Sequence, residues 1–296
     1  MNLAGIIGYG VYIPRYRLEQ KEAAIPWGSW AGGEKTVCGA DEDVVTMAAE
    51  ATDNAIKHAG IDPAQIDCIY VGTASSPYIE QYVAPILAET LGLRPEATMI
   101  DYSGSLNALA NALLGCLDAI AAKRIKCGLV IGAENRSTAP GTEGDANFGA
   151  GAIAMVIGTI DTIADFEGVH TYSTLFLDRW RSVKDSWVSN LNDYRFDREY
   201  GYQKHVAEAC KGLMEKLGKK HGTTPTQYLH SRMIGFQGYR RKTWGYRKNF
   251  WLQGSHPFWV TWAHAPHLLV WLGFWTRQNQ TKRYCWPLMA RALATP

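Results

Sequence analysis

Apolar positions follow two rhythms through the first half of the chain. Short, nearly continuous apolar runs at residues 5–14, 68–73, 97–102, 127–133 and 150–157 predict buried strands. Between them the period becomes helical. Val44, Met47, Ala48, Ala51 and Ala55 repeat at helical spacing behind Asp41, Glu42 and Asp43, where carboxylates suit a helix N-terminus, and Gly60 ends the run. Asp62-Pro63 opens a turn. Further helices are predicted over 80–91, closed by Gly92, and over 107–122. Strands alternating with helices predict an α/β layered domain around a largely parallel central sheet. Ligand sites in such sheets gather at the carboxyl ends of strands. Two strand-to-helix junctions therefore stand out, residues 73–78 and 101–105, although plain tight turns account for their spacing equally well. The glycine pattern over 149–154 superficially matches a dinucleotide fingerprint, yet it lies within a predicted strand and opens no helix, so no nucleotide site is read there.

Composition narrows the classes. With 296 residues, 47% of them hydrophobic, the chain can bury a large core as one large or two ordinary domains. The first ten residues lack the basic and long apolar regions of a signal peptide, and the longest uncharged apolar run, 268–275, is far too short to span a bilayer. A soluble cytoplasmic protein is expected, with no membrane contact. The six cysteines are scattered with no C-x-x-C pair and no histidine at ligand spacing, so neither a disulfide framework nor a metal site is signalled. Cys116 falls about three turns into a helix and reads as a packing residue; His205, on an amphipathic helix with Val206, Ala209 and Leu213, reads as a helix-face residue.

Charge divides the chain unevenly. Residues 229–296 contain no Asp or Glu, where the upstream rate predicts about eight. The same stretch holds seven of the eleven tryptophans and ten of the thirty Lys and Arg residues, which leaves the body at −8 and the tail at +10. Residues 1–228 therefore read as one unit and 229–296 as an aberrant basic, Trp-rich tail. The strip over 239–251, rich in Arg, Lys, Trp and Tyr, has the composition of a nucleic-acid-binding segment, cations for phosphates and rings for bases. That reading ranks last, and no nucleic-acid partner is expected.

Several stretches of the body resemble the archaeal and bacterial hydroxymethylglutaryl-CoA synthase family of the thiolase superfamily. They are Gly8-Tyr-Gly with Tyr12-Ile-Pro-Arg15, Asp41-Glu-Asp-Val-Val-Thr-Met47, Val71-Gly-Thr followed by Ser76-Pro-Tyr78, Ile131-Gly-Ala-Glu134 and Gly149-Ala-Gly-Ala152. Asp178-Arg-Trp-Arg181 is similar to the family's D-F-W-R, and Arg195-Phe with Tyr202-Gln-Lys-His-Val206 to its R-F…Y-F-K-H-V. The resemblance implies two similar α/β halves stacked as α-β-α-β-α layers, here with the N-terminal half intact and the C-terminal half missing or replaced. It implies acyl-CoA as substrate, no cofactor, and condensation of acetyl-CoA with acetoacetyl-CoA. In that chemistry a cysteine at a helix N-terminus is acylated, a glutamate removes a proton, and a second-half histidine activates the acceptor carbonyl.

Carried over residue by residue, the resemblance places Gly104 at the nucleophile and Ala74 at the glutamate. Ser103 and Ser105 flank the elbow, but a hydroxyl needs an adjacent base and none is evident. Tyr78, Asp178 and Arg181 are the expected substrate-binding positions. A homodimer is implied. The two losses also resemble non-catalytic thiolase-fold subunits that work beside a thiolase and a zinc-ribbon/OB-fold protein.

The tail has a second interpretation at the codon level. New codons are formed from the last base of each codon and the first two of the next. Residues 258–263 then give L-G-[DNHY]-[LMV]-G, 274–276 give L-D, and 285–290 give L-A, two partly free positions and a glycine. These match, in order, the family's G-D/N-x-G loop, its V-L-D helix and its S-Y-G-S-G-A-G ending. A one-base frameshift near residues 227–233 is the expectation.

Overall fold

The computed structural model describes residues 4–25, 33–191 and 193–218, together with the backbone of two strands at Pro257–Phe258 and Leu268–Thr276. The basic strip over 239–251 and most of the codon-matched tail lie outside these residues.

The chain opens with β1 (Gly5–Tyr12), then a hairpin of β2 (Tyr16–Glu19) and β3 (Glu34–Val37) that flanks the short α1 (Gln20–Ala24). Helix α2 (Val44–Ala59) forms where the apolar period predicts. Asp43 caps it: its carboxylate accepts from Thr46 N, and the Thr46 hydroxyl accepts from Asp43 N. Gly60, left-handed at φ 66°, ends it. Val44, Met47, Ala48, Ala51 and Ala55 all face the core. Next come β4 (Cys68–Gly72), α3 (Val83–Thr90), β5 (Thr98–Tyr102), α4 (Ala108–Ala121), β6 (Gly128–Glu134), α5 (Glu143–Asn147) and β7 (Gly151–Gly158). After them run β8 (Ala164–Ser173), the two-residue strands β9 (Arg179–Trp180) and β10 (Ser189–Asn190), and α6 (Tyr194–Phe196). A π-helical stretch, Asp197–Gln203, leads into α7 (Lys204–Lys216), and β11 (Pro257–Phe258) and β12 (Leu268–Thr276) complete the set.

Eight strands form one sheet in the order β11-β12-β8-β1-β7-β6-β4-β5. Here the expectation of a largely parallel sheet is corrected. Only β4 with β5 and β4 with β6 run parallel; β1 with β7, β6 with β7, β1 with β8 and β8 with β12 are antiparallel. Apolar rhythm reports that a strand is buried on both faces but is blind to its direction.

Two cores cover the sheet. On one face α2 and α3 pack Met47, Ala51, Val83 and Leu87 against Ile69, Val71, Leu129, Ile131 and Ala154. On the other, α4 packs Leu109, Leu113 and Cys116 against Tyr70, Val130, Met155 and Ile157. Each fully buried Leu or Ile contributes about 1.5–3 kcal/mol of transfer free energy, so this α-β-α sandwich stands on its own core. Beyond it, α7 packs on β8 much as α2 packs on β1: Val206, Ala209, Cys210 and Leu213 cluster with Tyr172. These elements open a second, similar half. The apolar run over 268–275 falls in strand β12, beside β8.

Helix α3 starts three residues later than the rhythm predicts, and the reason is tertiary. Tyr82 supplies no side-chain cap; Asp101, on β5, accepts from Val83 N at 2.6 Å and Ala84 N at 2.9 Å. A carboxylate on two orphan N–H groups serves as an N-cap drawn from a neighbouring strand.

Candidate functional site

The predicted junctions meet at the carboxyl ends of β4, β5 and β6. Because β4 lies between β5 and β6, the loop after it sits beside both neighbours' ends: Thr73 N donates to Tyr102 O at 3.0 Å. Glu134, the last residue of β6, lies beneath this loop, 7% exposed. Its carboxylate accepts from Ala74 N at 2.7 Å and from the Ser75 hydroxyl at 2.6 Å, and Ser75 Oγ in turn accepts from Asn135 N at 2.9 Å. Burial pushes the Glu134 carboxyl above the ordinary range, against those two hydrogen bonds and the Arg136 charge. Ala74 thus stands where a glutamate is expected, with a buried carboxylate directly behind its backbone.

At the β5–α4 junction, Gly104 has φ 77°, and a Cβ built on it would meet nothing within 4 Å. It lies in the turn, three residues before Asn107, the N-cap of α4. Ser105 Oγ accepts from Asn107 N at 3.1 Å, so this hydroxyl serves the turn. Ser103 is exposed. Cysteines are absent from residues 69–115, so no small shift of register brings a thiol to this junction. Cys116 is fully buried, and its thiol is pushed up, first by its hydrogen bond with Cys68 and then by burial, the reverse of an activated nucleophile.

Of the predicted substrate-binding residues, Asp178 is brought into this neighbourhood. It is 4% exposed, and its Oδ2 lies 3.4 Å from Arg179 Nε. Arg181 is exposed but close enough to lower the pKa of Arg136, together with Arg179; burial is the larger cause of that shift. Tyr78 is 47% exposed in the loop after β4, its backbone bracketed by the Ser76 hydroxyl. His205 is 1% exposed, with Nε2 2.8 Å from Thr174 Oγ1 and Nδ1 2.6 Å from Gly201 O, and its ring packs edge-on against Tyr172 and Phe176. It braces α7 against β8.

The sequence reading missed Glu134, Arg136 and Arg179 as site residues. Glu134 carried a signal, as a carboxylate ending a strand buried at every position. Among the described residues no group of three or more His, Cys, Asp and Glu side chains could hold a metal ion, and no helix is long and apolar enough to cross a membrane.

Residues 30–161 match the thiolase N-terminal domain. The hydroxymethylglutaryl-CoA synthase of Methanocaldococcus jannaschii is 39% identical over 226 residues, covering 74% of this chain and 65% of the relative. That of Pyrococcus furiosus is 35% identical over 240 residues, covering 80% of this chain and 68% of the relative. The chain belongs to the hydroxymethylglutaryl-CoA synthase family. It spans slightly less than two thirds of the length of several of these synthases, 65% and 63% for those of M. jannaschii and Methanopyrus kandleri. The thiolase-like fold is also that of MvaS in complex with 3-hydroxy-3-methylglutaryl coenzyme A, at a TM-score of 0.66 and 21% identity over 73% of this chain and 54% of that one. A hydroxymethylglutaryl-CoA synthase complexed with CoA gives the same TM-score of 0.66, at 20% identity over 74% of this chain and 57% of that one. Against the synthase motif D-F-W-R, this family member carries Arg179 in place of phenylalanine.

Proposed function

We propose that the chain is an acyl-CoA-handling protein of hydroxymethylglutaryl-CoA synthase type, built on a scaffold whose family reaction condenses acetyl-CoA with acetoacetyl-CoA, and that it forms no acetyl-enzyme itself. The observation that carries this is the β5–α4 junction: the sequence has no cysteine from 69 to 115, and Cys116, inside α4, is buried with its thiol pKa raised. Ala74 in the facing loop removes the second reactive group. An acyl-CoA ligand is supported by kinship and by the two solved neighbours that hold CoA species. Radiolabelled acetyl-CoA, quenched and resolved after incubation with the chain, should leave no covalent label. Covalent acetyl on the protein would overturn the proposal. Copurification of a thiolase-type partner with the unlabelled chain would place it as the non-catalytic member of a complex.

We infer further that residues beyond about 229 are read one base out of the ancestral frame. The acid-free composition and the ordered codon matches support this. Sequencing the DNA across codons 225–235 tests it; a continuous frame, with the same tail found in the expressed protein, would refute it.

A further inference from the structure

Charged side chains of both signs gather near the Ala74 loop, Arg136, Arg179 and Arg181 with Glu134 and Asp178. Arg136 lies two residues beyond β6, and its guanidinium lies 4.5 Å from the centre of the Phe148 ring; Arg179, on β9, lies 5.5 Å from the same ring. The Arg179 side chain is only 9% exposed, yet nothing holds it well. Its Nε is 3.4 Å from Asp178 Oδ2 and its Nη2 3.7 Å from Asp197 Oδ2, both beyond good hydrogen-bond length. Its Nη1 is buried with no hydrogen-bond partner, and so is Asp178 Oδ2.

A buried, under-partnered guanidinium is costly, and a bound ion is one of the arrangements that completes such a group in native structures. Glu134 does not do so: its carboxylate accepts from Ala74 N and Ser75 Oγ, and Arg179 Nη1 makes no hydrogen bond. Arg181 adds a third positive charge near Arg136, opposed there by the carboxylates of Glu134 and Asp178. Relative to the synthase motifs, the chain has lost a carboxylate at Ala74 and gained a cation at Arg179, so two substitutions move the site in the same electrostatic direction. Planar oxyanions match the guanidinium fork in two-point hydrogen bonding, and a phenyl ring beneath a guanidinium holds its plane.

We propose that Arg136 and Arg179 form a binding site for a small oxyanion, a carboxylate or phosphate group, beside the Ala74 loop. This goes beyond the acyl-CoA reading and stands without it, since the free anion is the ligand tested.

The test is isothermal titration of the full chain with malonate and, separately, with inorganic phosphate, at matched ionic strength because exposed charges are screened by salt. Binding is expected for at least one probe, weakened about tenfold or more in Arg179→Phe and less in Arg179→Lys, which keeps the charge but loses the fork. Arg136→Gln, at a partly exposed position, supplies a second variant should Arg179→Phe fail to fold, and should weaken binding similarly. Response to malonate alone identifies a carboxylate ligand and to phosphate alone a phosphoryl group; response to both supports the site without choosing. Binding of neither probe, or binding unchanged in the folded Arg179→Phe and Arg136→Gln chains, overturns the proposal.

Discussion

Glu134 joins the β4 loop to the end of β6, and two substitutions separate its charge from its hydrogen bonds. Glu134→Ala removes both bonds, from Ala74 N at 2.7 Å and Ser75 Oγ at 2.6 Å. Hydrogen bonds to a charged acceptor contribute about 1.5–3 kcal/mol each. Ala74 and Ser75 are partly exposed, so water re-pairs the freed donors, and the desolvation burden of the carboxylate disappears with it. A net loss of about 2 kcal/mol is expected. Glu134→Gln keeps shape and can still accept from Ala74 N while donating to Ser75 Oγ, so near neutral pH it should cost under about 1 kcal/mol.

The pH dependence carries the sharper test. Because the folded pKa of Glu134 is raised above its ordinary value of 4.5, the native state keeps this proton to higher pH than the unfolded chain. The stability it contributes is present below the unfolded value and is lost as pH rises through the folded one. The wild type should therefore lose ground to Glu134→Gln as pH rises from the ordinary carboxylate range through the raised folded value. Asp101, also raised by burial, and Asp67 and Asp145, both lowered, titrate alike in the two proteins and cancel in the difference. Urea unfolding followed by far-UV circular dichroism across this range measures that difference. A stability gap between wild type and Glu134→Gln that does not change with pH would refute the reasoning, as would a Glu134→Ala chain as stable as wild type.

Two further outcomes follow from the backbone. A Cβ at Gly72 would come 2.4 Å from Leu109 N and 2.5 Å from Leu109 Cα, backbone that cannot rotate away, so Gly72→Ala must push the start of α4 off β4; a loss of about 1–3 kcal/mol is expected in urea unfolding, and an unchanged midpoint would contradict the packing. The double variant Ala74→Glu, Gly104→Cys should fold less stably by about 1–2 kcal/mol and still trap no radiolabelled acetyl group, whereas a labelled double variant would show the junction competent as it stands.

What the sequence disclosed depended on how local each cause was. Helix α2 was legible because its cap, its buried stripe and its αL stop lie within its own segment: Asp43, Met47 to Ala55, and Gly60. The start of α3 was not, since its cap is Asp101, seventeen and eighteen residues downstream of the N–H groups it receives. The mixed direction of the sheet escaped for a related reason, because pairing of β1 with β7 joins residues about 150 apart and leaves no trace in the rhythm of either strand. At the site, motifs gave Ala74 and Gly104 only as expected positions, while the bond from Ser75 to Glu134 spans 59 residues and appears only on folding. The orphaned Nη1 of Arg179 belongs to the same class, as the lack of a partner is a property of the assembled neighbourhood.

On the proposed reading, exchange of the reactive residues costs the fold little, and the geometry explains why. The strands that carry the junctions are held by Ile69, Val71, Leu129 and Ile131, all fully buried, whereas Ala74 and Gly104 lie outside both sheet-covering cores. Selection on the core can therefore persist after selection on the chemistry has lapsed. The reverse step is harder. Gly104 has settled into a left-handed turn that penalises any side chain by roughly 1–2 kcal/mol. It also lies outside α4, where a thiol would draw little from the helix N-terminus, because the macrodipole acts within the first turn. Meanwhile the positive charges of Arg136, Arg179 and Arg181 near the end of β6 would favour the charged form of a new carboxylate at position 74, lowering its basicity. On that reading, back-substitution of two residues restores the letters of the expected motif without the electrostatics that would make a cysteine nucleophilic and a glutamate basic.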